Sequence, residues 1–371
     1  MSDVTRTFVA TESATGHVNG AGFHPCQGLW YEAAGRSPKV AMIASHYNVD
    51  FSEHYLAEPL ARRGIGFLGW NTRFRNNESW FLLEQALVDL CAGVRWLREE
   101  AGADTVVLLG NCGGGSLMAA YQSQATEPSI EPGPGLRLPP LLEALPPGDL
   151  YVSLQAHPGR PEVLTNWLDP SVVDEFDPVP RDQALDMFHP ANGPPYSDEF
   201  VTRYRAAQVA RNDRITDWAE QELERLQTAG HFDRNFTVHG TWADLRFLDG
   251  ALDPSNRPVG TCLAGDPRWA NTSPYGIAAT PTLRTWLSMW SLRRSQCRGA
   301  PHLRHVTIPS LVLQSTADVG VFPSDALIIQ ESLASADKTF EWIEGDHYLQ
   351  TPAGAREEVA DRIASWVTER S

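Results

Sequence analysis

The chain lacks any apolar run long enough to cross a bilayer. Its first residues, Met-Ser-Asp-Val-Thr-Arg-Thr-Phe, also lack the basic start and apolar core of a secretory signal. No membrane partner is expected, and a cytoplasmic location is the default expectation. Positive charge is in deficit: 30 Lys and Arg stand against 46 Asp and Glu, for a net charge of −16. A surface of that sign repels phosphate backbones and anionic membrane surfaces, so nucleic acid is excluded as a partner as well. Cysteine is scarce and scattered. Cys26, Cys91, Cys112, Cys262 and Cys297 show neither the paired spacing of a disulfide framework nor that of a zinc site, and read as thiols in a reducing compartment. Internal repeats and low-complexity tracts are missing too. What remains is 371 residues, enough for one large α/β domain or for a core carrying an insertion.

Strand and helix patterns alternate through the first half. Residues 39–45 read as an apolar strand, 52–63 as a helix closed by Gly64, and 65–70 as a strand. Helical spacing of Phe81, Leu82, Leu83, Leu87, Leu90, Val94 and Leu97 predicts a helix over 79–100, with Cys91 in its packed face. Strands follow at 105–109 and 150–155. This alternation implies a mostly parallel sheet with helices on both faces. From about His157 to Ala300 the alternation stops, and helical segments are expected at 198–211 and 216–229. That stretch is too long for a loop inside a compact domain, so it reads as an inserted, mainly helical cap. Strands then resume at 310–315 and 339–343, with helices from Ser324 and over 352–370. The expected division is therefore 1–156 and 301–371 for the two parts of the core, and 157–300 for the cap.

The most informative stretch is Val106 to Ser116. An apolar strand runs straight into Gly110-Asn111-Cys112-Gly113-Gly114 and then into a helix-forming segment. This is the pattern of a nucleophile elbow, a sharp strand-to-helix turn that presents a reactive side chain. Gly110 and Gly114 stand two places either side of Cys112, where larger side chains would collide. Ser116, one helical turn on, should point along the helix and is not expected to be the nucleophile.

An activated thiol needs a base, and the base needs a group that fixes its tautomer. Asp318 lies just past the strand 310–315, and His347 just past the strand 339–343. Reactive groups of open parallel sheets gather at that carboxyl edge. Asp325 and Asp346 are the local rivals of Asp318. For the developing oxyanion, Gly113 offers a backbone N–H at the start of the elbow helix, where the dipole also favours a thiolate. A second donor is expected from the loop Ser45-His46-Tyr47-Asn48, at the backbone of Tyr47 or Asn48. His46 itself is expected to serve that loop's hydrogen bonding and to line the pocket.

These residues give the chain its resemblance to α/β-hydrolase-fold enzymes with a Cys-Asp-His triad, similar in the elbow to dienelactone hydrolases. The resemblance covers about residues 25–157 and 301–371. Polyhydroxyalkanoate synthases, with a cysteine elbow and a capped fold, are similar as well. It implies an α/β-hydrolase core with Cys112, Asp318 and His347 as the triad. Dienelactone hydrolases have no large cap, so the cap here points away from their substrate.

The cap contains Trp167, Trp218, Trp242, Trp269, Trp286 and Trp290, candidates for a pocket that takes a bulky apolar or ring-containing substrate. Arg203, Arg205, Arg211 and Arg214 stand among acidic neighbours and read as a salt-bridged helix face. His302 and His305 have helical ligand spacing but no acidic neighbour, and no metal is expected. Nor is a dinucleotide, because a reactive side chain occupies the centre of the glycine-rich turn. The expectation is a cofactor-independent thiol hydrolase acting on a small-molecule ester, lactone or thioester. An acyltransferase or cyclase using the same acyl-enzyme is the first alternative, and a non-catalytic binding protein on this fold the second. The oligomeric state, including a homo-oligomer, is open.

Overall fold

A computed structural model describes residues 3–12, 15 and 24–371. The core is one eight-stranded sheet built from β1 (Val4–Thr11), β2 (Cys26–Ala33), β3 (Val40–Ala44), β4 (Gly66–Asn71), β5 (Thr105–Cys112), β6 (Leu150–Ala156), β9 (Ser310–Ser315) and β10 (Lys338–Ile343). Between β6 and β9 the chain forms a two-stranded ribbon, β7 (Val172–Asp174) and β8 (Asp177–Arg181). The large sheet has the order β1-β2-β4-β3-β5-β6-β9-β10. Only β1 with β2 and β2 with β4 pair antiparallel; every other pair is parallel.

The connecting helices are α1 (Ala57–Arg62), α2 (Leu83–Glu99), α3 (Gly114–Thr126), α4 (Arg160–Trp167), α5 (Asp198–Thr228), α6 (Pro267–Thr272), α7 (Leu283–Thr285), α8 (Gly299–Leu303), α9 (Pro323–Ser332) and α10 (Ala355–Thr368). Successive side chains of a strand point to opposite faces, and both faces are covered. Met42, Ala44, Val107, Leu109, Val152 and Leu313 pack with α1 and α10 on one side. Ile43, Val106, Leu108, Tyr151 and Val312 pack with α2, α3 and α9 on the other. Burial on both faces explains why the central strands are unbroken apolar runs, each large side chain contributing roughly 1.5–3 kcal/mol.

Two sequence expectations change most. The helix expected over 52–63 begins only at Ala57, because residues 51–54 are held in a turn by the Phe51 N–H on Asn71 Oδ1 (2.9 Å) and the His54 N–H on Phe51 O (3.1 Å). The two segments expected at 198–211 and 216–229 are one 31-residue helix, α5. Asn212, between the two expected segments, is fully buried. Its side chain donates to Thr165 Oγ1 (3.1 Å) and Trp290 O (3.0 Å) and accepts from the Leu292 N–H (2.9 Å). Tertiary partners thus remove its competition with the helix backbone. The antiparallel strands β1 and β2 carry no strong sequence signal, since β1 is exposed along its middle.

The insertion is pinned to the core beside the acid-bearing strand. Buried Asp244 accepts from Arg205 (2.7 Å) and Arg246 (2.7 Å), and the Arg246 guanidinium lies 3.9 Å from the centre of the Phe322 ring at the start of α9. Asp253 accepts from the Ser324 hydroxyl (2.6 Å). A buried charge needs this degree of pairing to be tolerated. Trp167, Trp242 and Ile277 of the segment between β6 and β9 line one cleft with residues at the carboxyl edge of the sheet.

Candidate active site

Cys112 ends β5 with φ of 54°, in the left-handed region that a side-chain-bearing residue rarely adopts. The turn is possible because Gly110 and Gly114, two places either side, have no side chains. A Cβ on Gly110 would lie 2.6 Å from Gly115 Cα, and one on Gly114 would lie 2.3 Å from Ser45 O. The chain therefore crosses itself at van der Waals limit, and the strained residue is left pointing into the cleft. Ser116 faces inward, its hydroxyl 3.0 Å from that of Tyr47.

The loop after β9 delivers Asp318. Its Oδ1 accepts the backbone N–H groups of Gly320 (2.8 Å) and Val321 (2.9 Å), while Oδ2 meets His347 Nδ1 at 2.7 Å. Its rivals are occupied elsewhere. Asp325 accepts the Phe322 N–H at the start of α9, and Asp346 accepts the N–H groups of Tyr348, Gln350 and Thr351 within its own turn.

Cys112 has three imidazoles around it: His46, His157 and His347 line one cleft with it. Burial by itself would push the thiol up. The charges and hydrogen bonds of His157 and His347 overcome that and hold it well below the ordinary thiol range. For His347, burial lowers the value, but Asp318 and the Cys112 thiolate raise it well above the usual imidazole range. Each shift rests partly on the other group: a charged imidazole favours the thiolate, and a thiolate favours the charged imidazole. His46 behaves differently. Burial lowers it despite its hydrogen bond to Cys112, so it stays neutral. Its Nδ1 accepts from the backbone N–H groups of Asn48 (3.3 Å) and Val49 (3.2 Å), which leaves the proton on Nε2. That edge faces Gly113, since a Cβ there would be 2.6 Å from His46 Nε2.

The loop donors expected at the oxyanion are thus disposed unequally. The Asn48 N–H is directed at the His46 ring, and Tyr47 is fully buried with its hydroxyl on Ser116. Gly113 caps α3, where the first N–H groups have no partner within the helix. His157 and Arg160 were not singled out in the sequence as site residues. The signal for His157 was available: it follows β6 directly, at the same carboxyl edge as Cys112, Asp318 and His347, and its N–H donates to Cys112 O (3.0 Å).

The cleft has a volume of about 430 Å³. Of the six tryptophans, Trp167 and Trp242 line it, stacked with ring centres 4.5 Å apart. Trp290 lies behind the wall and carries the Arg160 guanidinium on its face, Trp286 is buried in the core, and Trp218 packs on Phe236. Trp269 is 55% exposed. Arg205 and Arg211 turn inward to Asp244 and Glu175, rather than forming a solvated face. His302 bonds to Gln296 O, and His305 to Glu127.

The electrostatics predict selective alkylation. Burial pushes Cys91 and Cys262 up to about 11 and Cys297 up to about 12. Iodoacetamide near neutral pH should therefore label Cys112 first, and peptide mapping would show it. A lowered thiol value means the thiolate is lost only as pH falls through it, so labelling should persist well into acid. His347→Ala should move that loss to higher pH. Equal labelling of several cysteines would remove the basis for the ion pair.

No known family model matches the sequence, and no curated protein matches it either. Among solved structures the chain is similar to the alpha/beta hydrolase GrgF from Penicillium sp. sh18, at 12% identity and TM-score 0.51, over 99% of each chain. It is also similar to DcsB, solved in complex with its substrate analogue, at 14% identity and TM-score 0.51, again over 99% of each chain. Likeness at such identity establishes the fold: the protein has the α/β-hydrolase fold.

Proposed function

We propose that the protein is a thiol-dependent hydrolase that cleaves an ester, lactone or thioester through an acyl-cysteine intermediate. The observation that carries this reading is the arrangement of Cys112 on a strained elbow beside His347, whose Nδ1 is held at 2.7 Å by Asp318. In this reading the Cys112 thiolate attacks the carbonyl carbon and forms the C–S bond. The oxyanion is held by the Gly113 N–H and by Nε2–H of His46, which takes the place expected for the backbone of Tyr47 or Asn48. Collapse breaks the bond to the leaving group, which takes the proton of the His347 imidazolium. His347 then accepts a proton from water as its oxygen attacks the thioester; the C–S bond breaks and the ion pair is restored.

Asp318 keeps the His347 proton on Nδ1 and stabilises the charged ring, while His157 assists the thiolate. The stacked Trp167 and Trp242 suit a flat apolar or ring-containing part of the substrate. Intact-protein mass spectrometry during exposure to a panel of aryl esters, lactones and thioesters tests the reading. A transient gain equal to the acyl group, mapped to Cys112, is expected. Turnover without any such adduct in rapidly quenched samples, or an adduct on another residue, would refute it.

A further inference from the structure

We propose that Arg160 is an anion-binding residue of the acyl subsite, so that the substrate is a half-ester or half-thioester of a short dicarboxylic acid. Its free carboxylate would sit on Arg160 while the other carbonyl meets Cys112. The inference rests on the thiol-hydrolase reading above and narrows its substrate class.

Arg160 opens α4 and lines the cleft, with a side chain only 4% exposed. Its guanidinium lies 5.2 Å from the centre of the Tyr47 ring and 4.5 Å from that of Trp290. Aromatic faces favour the cation but accept none of its in-plane N–H bonds. Its carboxylate partner, Glu78, is 3.5 Å from Nη2, at the limit of a hydrogen bond, and the other Glu78 oxygen is taken by the Ala278 N–H at 2.8 Å. Arg160 Nε is buried without an acceptor. A charge so placed is tolerated poorly unless something takes its donors.

The position of Nη1 says what that is. A Cβ built on Gly113 would lie 2.9 Å from Arg160 Nη1 and 2.6 Å from His46 Nε2. The cationic edge and the neutral imidazole edge therefore converge on one point, one residue beyond the nucleophile and at the positive end of α3. An acyl group whose carbonyl oxygen lies by His46 has its next few atoms beside the guanidinium. An apolar acyl chain there would leave the cation desolvated with only its long contact to Glu78; a carboxylate would form charge-assisted hydrogen bonds with it. Because the two donor groups flank one residue, the spacer between the two carbonyls must be short.

The test compares 4-nitrophenyl hemisuccinate with the methyl ester of the same compound, each corrected for spontaneous hydrolysis. The wild-type enzyme should favour the free carboxylate by about tenfold or more in kcat/KM, the scale of one charge-assisted hydrogen bond. Arg160→Gln should collapse that ratio, and Arg160→Lys should keep part of it. No wild-type preference overturns the proposal. So does an equal loss on both esters in Arg160→Gln, which is what an oxyanion or packing role would give.

A second measurement needs no variant: succinate should slow iodoacetamide labelling of Cys112 in the wild-type enzyme more than neutral succinamide does. Equal protection overturns the proposal. Failure of the parent reading looks different, as turnover without a Cys112 adduct, whereas failure here alone leaves Cys112 acylating with no preference for the charged ester.

Discussion

Cys112→Ala is expected to lower kcat/KM at least about ten-thousandfold while leaving the melting temperature at or above that of the wild type. Removing a triad nucleophile leaves only the catalysis provided by the oxyanion donors and by binding. The fold should not suffer, because the turn is shaped by the close approaches at Gly110 and Gly114, which alanine at position 112 does not alter. In the proposed reading, taking away the partly buried thiolate also relieves a charge held at some cost to stability. Steady-state rates with the best ester of the panel, together with calorimetry of both proteins, check this. Retention of more than about a hundredth of the activity would remove Cys112 from the chemistry.

Asp318→Asn should lower kcat about a thousandfold or more near neutral pH, with a much smaller change in KM. Asp318 uses both oxygens, Oδ1 for the N–H groups of Gly320 and Val321 and Oδ2 for His347. An asparagine that keeps its oxygen toward those two donors must turn its NH₂ toward His347 Nδ1. That nitrogen must then be the acceptor, so its proton moves to Nε2 and the imidazole can no longer take a proton from the cleft. The variant should also lose the raised His347 value, because the carboxylate charge that raises it is gone. The alkaline limb of the rate profile, set by loss of the imidazolium proton as pH rises, should therefore shift to lower pH. An unchanged alkaline limb with a folded variant would show that Asp318 does not act on His347.

The reach of the sequence differs from element to element. The central strands were legible because parallel strands covered on both faces must be apolar along their whole length, as Val106 to Leu109 and Leu311 to Leu313 are. The order of Cys112, Asp318 and His347 was legible for a related reason. Each follows a strand end, and strands running the same way bring their ends to one edge. No such rule existed for β1, whose exposed middle carries little pattern. Nor was there one for α5, whose continuity through Asn212 depends on partners far away in the chain.

The sequence by itself therefore determined the parallel core, the cysteine elbow and which loops meet at its edge, because these follow from local pattern and strand direction. The tertiary structure alone decided what surrounds the thiol. His46 is turned by its own loop so that Nε2–H faces Gly113, and His157 joins His347 at Cys112. Arg160 is lodged between Tyr47 and Trp290, and two of six tryptophans reach the cleft. Tautomers, ion pairs and the choice of wall depend on groups distant in sequence that come together only when the insertion packs on the sheet. No period or spacing along the chain encodes them.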